Sequence, residues 1–327
     1  MTQAPAEASS ADSPVMRPAL PEPQDSARRT SKTRLARREA VAAYGFLTPW
    51  IIGMAVLTIG PMAYSLYLSF TSYDLLSPPE WNGLANYARM LEDQRFMNSV
   101  GVTLKYVAFS VPAVLVASLL VAMVLNQGLR FISAYRAAFY LPSLIGTSVA
   151  IALLWREVFG EAGIFNQVLS VFGIDGPSWI GRPETALYTL IVLNVWTFGS
   201  TMIIFLAGLR QVPKELYEAA SVDGAGHLRR FFHITLPMIS PLIFFNLLLT
   251  TVNSFQAFTP AYVISGGSGG PLDSTLFYTL YLYQRGFANL EMGYAAAMAW
   301  VLVAGLAIFT AILFATARYW VHYGDER

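Results

Sequence analysis

Long uncharged and mainly apolar stretches alternate along this chain with shorter polar segments that carry its charges. Six of these stretches are about as long as, or longer than, a helix needs to cross roughly 30 Å of hydrocarbon. They are Ala40 to Tyr73, Tyr106 to Leu129, Ala137 to Trp155, Thr185 to Leu209, Phe231 to Leu272 and Met292 to Ala317. Buried helices of soluble proteins are rarely this long, so the pattern predicts an all-α membrane protein with six transmembrane helices.

The fifth stretch is too long for one straight span, and the glycines from Gly266 onward predict that its helix stops near Phe258. No stretch has the pattern of a β-strand, and we find no internal repeat. Residues 1–40 are rich in Ala, Ser, Pro and Arg and lack apolar periodicity, which is typical of a disordered basic tail. Residues 41–327 are predicted to form one six-helix domain.

Composition agrees with this picture, because 55% of the residues are hydrophobic and only 13% are charged. If both termini lie on one side, fifteen of the 21 Lys and Arg residues fall on that side and six on the other. The positive-inside rule then places both termini in the cytoplasm of a multi-pass membrane protein, with lipid as its surroundings. The net charge of +1 gives no reason to expect a nucleic-acid partner.

Several kinds of chemistry are missing from the sequence. It has no cysteine, and its three histidines lack the spacing of metal ligands, so we expect neither a metal nor a cofactor. A phosphate-binding P-loop needs Gly-Lys followed by Ser or Thr, and none of the three lysines follows a glycine. The apolar stretches contain no Asp or Glu, which argues against an intramembrane enzyme. Any ATP hydrolysis must come from a partner.

The connection between spans four and five, about residues 210–237, is the most informative segment. Pro213 suits the first position of a helix and Glu215 suits its first turn. Leu216, Ala219 and Ala220 would share one face of a short amphipathic helix that Gly224 and Gly226 end. An interfacial helix lying on the bilayer is the alternative, although such helices are normally longer and more basic.

This segment resembles the signature loop of ABC importer permeases. The matching positions are Glu218, Ala219, Ala220, Gly224, Ile234, Leu236 and Pro237, without a gap. Asp223 before the glycine resembles the carbohydrate-uptake branch. The blocks from Trp81 to Tyr87 and from Gly266 to Tyr294 also resemble the permease of maltose and glycerol-phosphate systems that pairs with a second, different permease.

The resemblance implies a type I ABC importer permease of the bacterial cytoplasmic (inner) membrane, in which this loop forms a coupling helix. Glu218, Ala219, Ala220, Asp223, Gly224, Leu236 and Pro237 would then be the ATPase-coupling residues. It also implies three kinds of partner: a second permease in a heterodimer, two ATPase subunits, and an extracytoplasmic sugar-binding protein. The implied cargo is a sugar, with a di- or oligosaccharide expected.

Uncharged polar residues within spans tend to face a bundle interior or a water-filled path. Asn194, Phe198 and Thr201 would form one stripe in span four. Ser143 and Thr147 in span three, and Asn253 and Gln256 in span five, have similar helical spacing. In the maltose-type family, substrate contacts fall on or near these positions. Asn194 and Asn253 match in residue type, whereas Phe198, Thr201 and Gln256 do not. Hydrogen bonding between helices is the alternative role for the polar side chains.

Two other functions stay open at this point. The same kind of permease could carry glycerol phosphate or another polyol, although spans three to five lack the basic residues that suit a phosphate. A non-ABC secondary transporter is the less favoured alternative, because ion coupling usually needs charges within the membrane.

Overall fold

The computed structural model describes residues 42–128 and 130–322, and the predicted tail over residues 1–40 lies outside them. The chain divides into two units, one ending at Met62 and the other beginning at Ala63. Helix α1 extends over Ala42–Ser69. Within the first unit it contains a π-helical stretch, Ala55–Ile59, after which the Gly60 amide donates to the Ala55 carbonyl.

The second unit is almost entirely helical in its described part. Its helices are α2 (Ala85–Glu92), α3 (Gln94–Leu125), α4 (Ile132–Ile145), α5 (Val149–Val158), α6 (Ile164–Val171), α7 (Pro183–Trp196), α8 (Gly199–Leu209), α9 (Lys214–Val222), α10 (His227–Arg230), α11 (Ser240–Phe255), α12 (Thr259–Ile264), α13 (Tyr278–Tyr283) and α14 (Met292–Trp320). Shorter helical segments are Phe231–Thr235 (π), Leu236–Met238 (α), Pro271–Asp273 (3-10) and Gln284–Ala288 (π).

The longer helices and two bent pairs supply six candidate membrane spans. Among the described residues, four helical segments are long and apolar enough to cross a membrane: Ala42–Ser69, Gln94–Leu125, Ser240–Ile264 and Met292–Trp320. Two bent pairs supply the third and fourth spans, with α4 and α5 meeting at 100° and α7 and α8 at 44°. The predicted all-helical fold is therefore confirmed, but spans three and four are not the single helices that the apolar runs suggested.

Span two begins twelve residues before the apolar run that predicted it. The carboxylate of Asp93 caps α3 by accepting the backbone N–H groups of Arg95 and Phe96, at 3.0 and 3.1 Å. Arg95 then forms an ion pair with Asp273 at 2.7 Å, which offsets its charge within the first turn. The hydrophobic run thus predicted the membrane-embedded part of the helix but missed its polar start.

The absence of β-structure in the sequence-based prediction is wrong for one short hairpin. Strands β1 (Thr71–Ser72) and β2 (Glu80–Trp81) pair antiparallel. The buried Asn86 side chain fixes this hairpin by donating to the carbonyls of Ser69 and Thr71, at 3.0 and 2.9 Å. Strands of two residues are too short to show an alternating pattern, so they could not be predicted from the sequence.

Two apolar clusters form most of the core in the described part of the second unit, and a third, small cluster contains Phe244, Ala317 and Val321. The larger one contains Tyr106, Leu190, Phe277 and Tyr294, and joins α3, α7, α13 and α14. The smaller one contains Leu125, Met202, Phe205 and Ile239, and joins the end of α3 to α8 and the start of span five. These clusters hold spans two, four and five in contact around the candidate site.

Candidate functional site

A polar cavity of about 530 Å³ lies among spans two to five of the second unit. Nine of its lining residues carry a hydroxyl group and three carry a side-chain amide, and none of the described lining residues is charged. Tyr106 and Phe258 add aromatic rings to the wall. A cavity with this lining suits a neutral ligand that exchanges hydrogen bonds, because amides and hydroxyls both donate and accept.

Three spans are broken where they line this cavity. Span three breaks at residues 146–148, span four at 197–198 and span five at 256–258. Thr147, Thr197, Gln256, Ala257 and Phe258 lie in these breaks and all line the cavity. Non-helical backbone at membrane depth is tolerated where it lines a water-filled cavity or is buried in protein. The breaks therefore mark the cavity as a functional feature of the bundle.

Two glycines allow the broken spans to pack closely. A Cβ atom on Gly146 would overlap the Cγ2 methyl of Thr197. A Cβ atom on Gly199 would overlap the Phe139 carbonyl and lie 2.7 Å from the Tyr140 Cα. Small residues at such crossings let two helix backbones approach each other in a membrane. The breaks in spans three and four consequently lie side by side.

Six of the seven polar or aromatic residues that the sequence suggested for a substrate path line this one cavity. They are Ser143, Thr147, Asn194, Thr201, Asn253 and Gln256. The Ser143 hydroxyl is already used, since it donates to the Tyr140 carbonyl at 2.7 Å. Asn194 differs, because its Nδ2 atom is buried and has no hydrogen-bond partner among the described residues. Asn194 thus lines the cavity with an amide nitrogen that the described residues leave without a partner.

Phe198 is not among the cavity-lining residues. Its ring lies 5.9 Å from that of Phe139, and it packs against the smaller apolar cluster. The expected helical stripe of Asn194, Phe198 and Thr201 is wrong, because the chain leaves α7 after Trp196 and resumes as α8 at Gly199. The bend between the two helices turns Phe198 to the packed side and keeps Thr201 at the cavity.

Sequence reasoning missed half of the hydroxyl and amide residues of the lining. The missed polar residues are Tyr106, Thr197, Ser200, Thr250, Ser254 and Thr259. Tyr106 lies at the start of the second apolar run, where it resembles an ordinary interfacial aromatic residue. The others lie near the breaks. Ser148 was the available signal for one break, because its hydroxyl accepts the Ile151 N–H at 3.3 Å and caps α5.

The predicted coupling segment folds as a short helix followed by a tight reversal. Helix α9 begins one residue after Pro213, which is its N-cap, and Glu215 lies in its first turn. Its end is a Schellman motif: the Ala225 amide donates to Ala220 at 2.8 Å and the Gly224 amide to Ser221 at 3.1 Å. Gly224 occupies the left-handed position of this motif, with φ of 74°.

The role expected for Gly226 is wrong in detail. It does not end α9 but is the N-cap of α10, with φ of −69°, a conformation open to any residue. No described atom lies within 4 Å of a Cβ built on Gly224. Backbone conformation, and not a close neighbour within this chain, is therefore what requires glycine at position 224.

The coupling segment is attached to the bundle through a few contacts. The hydroxyl groups of Tyr217 and Thr235 lie 2.9 Å apart. Tyr217 and Ile234 also pack against the smaller apolar cluster at the ends of spans two and four. Arg230 braces the reversal, because its Nε donates to the Ala225 carbonyl at 2.7 Å. The helix can therefore move with spans two, four and five.

The other signature residues occupy distinct places in this segment. The Ala219 carbonyl accepts the amide of Asp223, which is the C-cap of α9. Leu236 follows the π-helical turn, and the Pro237 carbonyl accepts the Ser240 hydroxyl at 2.6 Å. Glu218 is exposed on α9, and no ion pair joins its carboxylate to another described residue.

A shallow concavity of about 300 Å³ borders the reversal, lined in part by Ala220, Asp223 and Arg229. Leu216 of α9 is 41% exposed and Val222 is 89% exposed, so the helix presents apolar as well as polar side chains to its surroundings. An exposed apolar face next to a concavity is typical of a protein-binding surface.

A multi-pass bundle with a polar intramembrane cavity and an exposed helix between spans four and five defines a membrane-transport permease. The family described as binding-protein-dependent transport system inner membrane component matches residues 91–321. The chain belongs to this family, and it is a permease subunit of an ABC importer, a transport component and not an enzyme.

Curated relatives and a solved structure agree with this assignment. The chain is 50% identical over 297 residues to the probable ABC transporter permease protein YesP of Bacillus subtilis, covering 90% of this chain and 96% of that protein. It is 34% identical to the arabinooligosaccharides transport system permease protein AraP of the same species, covering 80% and 84% of the two chains.

The fold is also that of a chain in the crystal structure of a bacterial alginate ABC transporter in complex with an alginate pentasaccharide-bound periplasmic protein. The TM-score is 0.74 at 22% identity, covering 86% of this chain and 95% of that chain.

Proposed function

We propose that this permease forms part of the path by which a neutral sugar, a di- or oligosaccharide, crosses the bacterial cytoplasmic membrane. The observation that carries the proposal is the cavity at the breaks of spans three to five, with its hydroxyl and amide lining and no charged residue among those described. Sugar hydroxyls exchange hydrogen bonds with such groups. The unpartnered Asn194 amide is one donor for them. The relative that transports arabinooligosaccharides supports this substrate class.

The coupling role is proposed for Glu218, Ala219, Ala220, Asp223, Gly224, Leu236 and Pro237. Two ATPase subunits would complete the importer, one of them docking on α9 and the concavity beside it. The contacts of Tyr217 and Ile234 support this role, because they join α9 to the ends of spans two, four and five. A second, different permease would supply the other half of the path, and an extracytoplasmic sugar-binding protein would deliver the substrate.

We propose that both termini lie in the cytoplasm, on the same side as α9. The backbone amide of His322 donates to the Ser240 hydroxyl at 2.9 Å, which supports a common side for the end of α14 and the start of span five. The excess of basic residues on that side supports the cytoplasm. Fused after Arg327, a reporter that works only in the cytoplasm should therefore be active, and a reporter that works only in the periplasm should be inactive. The opposite result would contradict this orientation.

Uptake by the reconstituted importer tests the proposal. Proteoliposomes that contain both permeases and the ATPase subunits should accumulate labelled di- or oligosaccharide when ATP and the binding protein are both supplied. Glycerol phosphate should not compete, because the described lining offers no cation for a phosphate. If glycerol phosphate competed and neutral sugars had no effect, the substrate class would be a polyol phosphate and not a neutral sugar.

A further inference from the structure

The segment of residues 271–291, here called the outer segment, connects spans five and six on the side opposite α9 and packs against residues of the cavity wall. Three of its side chains contact residues that line the cavity. The Phe277 ring lies 4.6 Å from that of Tyr106. The Thr279 hydroxyl donates to the Ala257 carbonyl at 2.5 Å. The Tyr283 ring lies 5.3 Å from the Phe258 ring.

The carboxylate of Asp93, at the N-terminal end of α3, binds this segment. Asp93 Oδ2 accepts the Tyr281 hydroxyl at 2.5 Å, the Tyr294 hydroxyl at 3.0 Å and the Arg285 Nη2 at 3.0 Å. Its Oδ1 is already engaged in capping α3. The side chain of Asp93 is only 10% exposed. A single carboxylate thus accepts five hydrogen bonds from three separate parts of the chain: the start of α3, the outer segment and α14.

The contacts of Asp93, here called the anchor, are extended by further ion pairs in which basic and acidic side chains alternate. Arg285, whose side chain is 19% exposed, also donates to Glu291 at 3.2 Å, and Glu291 pairs with Arg89 at 2.9 Å. Removing one partner from a buried, hydrogen-bonded pair leaves the other charge uncompensated, which is strongly unfavourable. The outer segment is therefore attached to α3 by this paired network, in addition to the Arg95–Asp273 ion pair, and loss of the network would weaken the attachment.

The same region contains the sequence blocks that the coupling role does not explain. Gly293 lies against β1, because a Cβ there would overlap the Thr71 carbonyl, and its amide donates to Tyr73 at 3.0 Å. The Tyr87 hydroxyl lies 2.8 Å from that of Ser69. These contacts place the hairpin, the outer segment and the start of α14 in one assembly on the outer face.

We propose that Asp93 is a positioning residue that holds the outer segment closed over the cavity, so that substrate enters from outside only when this anchor yields. The inference rests on the proposed function, since it assigns the cavity to the substrate. Phe277 and Thr279 of the outer segment contact the cavity wall, so a movement of this segment would change access to the cavity from the outer face. Asp93 touches neither the cavity nor a substrate there; it acts through Tyr281 and Arg285.

Cavity accessibility tests this directly. The chain has no cysteine, so a single cysteine introduced as Thr259→Cys reports on the cavity alone. The full importer in proteoliposomes, without sugar, is treated from outside with a membrane-impermeant maleimide, and modification of this chain is followed by mass spectrometry. Asp93→Asn should raise the modification rate about tenfold, because it removes a charge-assisted acceptor shared by three donors.

Glu157→Gln provides the matched control, because it removes the same charge from an exposed carboxylate. The Glu157 side chain is 79% exposed, and its ion pair with Arg156 is long at 3.9 Å. It should leave the rate unchanged. Tyr281→Phe with Tyr294→Phe removes two of the donors and keeps the charge and the helix cap, so a smaller increase is expected. If Asp93→Asn does not assemble, this pair decides the question. Rates equal to that of the parent in every assembled variant would overturn the proposal.

A second measurement on the same cysteine tests the proposed function independently of the role of Asp93. Sugar-loaded binding protein with ATP should alter modification of the same cysteine in the parent importer if the cavity holds substrate. A rate that responds to Asp93→Asn but not to sugar would keep the anchor and reject the cavity as the sugar path. A modification rate that responds to sugar but not to Asp93→Asn would keep the cavity as the sugar path and reject the role of Asp93.

Discussion

The hydroxyl groups of Tyr217 and Thr235 lie 2.9 Å apart and join the middle of α9 to the π-helical turn that leads into span five. Thr235 is buried, and Tyr217 packs on the apolar cluster that includes Met202 and Phe205. A force applied to α9 therefore reaches the broken spans through one hydrogen bond and a packed ring. Such a nearly rigid link is what a transport cycle driven by a separate ATPase needs.

Tyr217→Phe keeps the ring and removes the hydroxyl. Because a neutral hydrogen bond contributes about 1 kcal/mol, we expect the sugar transported per ATP hydrolysed to fall by roughly threefold to tenfold, with assembly unchanged. Tyr188→Phe is the control, since Tyr188 is 56% exposed on α7. Parallel measurements of uptake and hydrolysis give the ratio. A Tyr217→Phe importer with the ratio of the parent would show that this bond plays no part in coupling.

Gly224 and Gly226 provide a comparison within one loop. Gly224 has φ of 74°, and a left-handed conformation disfavours a Cβ by roughly 1–2 kcal/mol. Gly226 has φ of −69°, and neither glycine has a described neighbour within 4 Å of a Cβ. Gly224→Ala should therefore weaken ATPase co-purification or uncouple hydrolysis from uptake, and Gly224→Asp should do so more strongly.

Gly226→Ala should leave both properties unchanged, because alanine adopts the Gly226 conformation without strain. Equal effects of Gly224→Ala and Gly226→Ala would contradict the backbone argument. Membrane levels of each variant must be measured alongside, since a loss of protein at position 224 without uncoupling would reduce its role to the stability of a helix end.

Asn194 and Phe198 separate ligand contact from packing. Asn194→Ala removes an unpartnered amide from the cavity wall, so the KM for sugar uptake should rise about threefold to tenfold while the membrane level is kept. Phe198→Leu alters a side chain in the smaller apolar cluster, so it should lower thermal stability with little change in KM. Should Asn194→Ala leave KM unchanged while Phe198→Leu raises it, the cavity wall has been assigned to the wrong face of span four.

The environment of Asp93 leads us to expect a specific pH dependence of the stability of the folded permease. Burial opposes its charge, but hydrogen bonds from Tyr281, the Phe96 amide and Tyr294, together with the Arg285 charge, outweigh burial and keep the pKa of Asp93 below its usual range. A carboxylate with a lowered pKa stabilises the folded state above its unfolded pKa of about 4, and this stabilisation is lost as the pH falls through the folded pKa.

The difference in thermal stability between the parent importer and Asp93→Asn should therefore be constant from about pH 5 to pH 8. It should shrink only below about pH 4, where the parent carboxyl also becomes neutral. Melting curves of the purified complex across this range measure the difference. A difference that disappears between pH 6 and pH 8 would show that Asp93 is not the anionic centre of the network.

The sequence predicted the six candidate spans and the short helix that precedes Gly224 because both depend on local patterns. Uncharged runs identify spans, and Gly224 follows the amphipathic residues at the position where a Schellman motif needs it. The charge pattern did not show the breaks in spans three and four, since residues 137–155 and 185–209 are continuously uncharged, and Ser148 was the one local signal for the first of them. Packing decides where those helices bend, and the contacts of Gly146 with Thr197 and of Gly199 with Phe139 became visible only in the fold.

The Asp93 network was invisible to sequence reasoning for a different reason. Its partners Arg285 and Tyr294 are separated from Asp93 by 192 and 201 positions along the chain. Asp93 alone resembles a helix cap, and Arg285 alone resembles an exposed loop cation. Only the return of the chain between spans five and six brings the two charges within 3.0 Å.

The most direct test of the whole account is the location of the sugar during transport. A photoreactive neutral oligosaccharide, loaded on the binding protein, is supplied to an importer whose ATPase subunits bind but do not hydrolyse ATP. Cross-linked peptides are then identified by mass spectrometry. We expect cross-links that cluster at the breaks, around Thr147, Thr197 and Gln256, with competition by unlabelled sugar. Competable cross-links that fall instead on the apolar groove between α3 and α14, around Leu104 and Phe309, would contradict it.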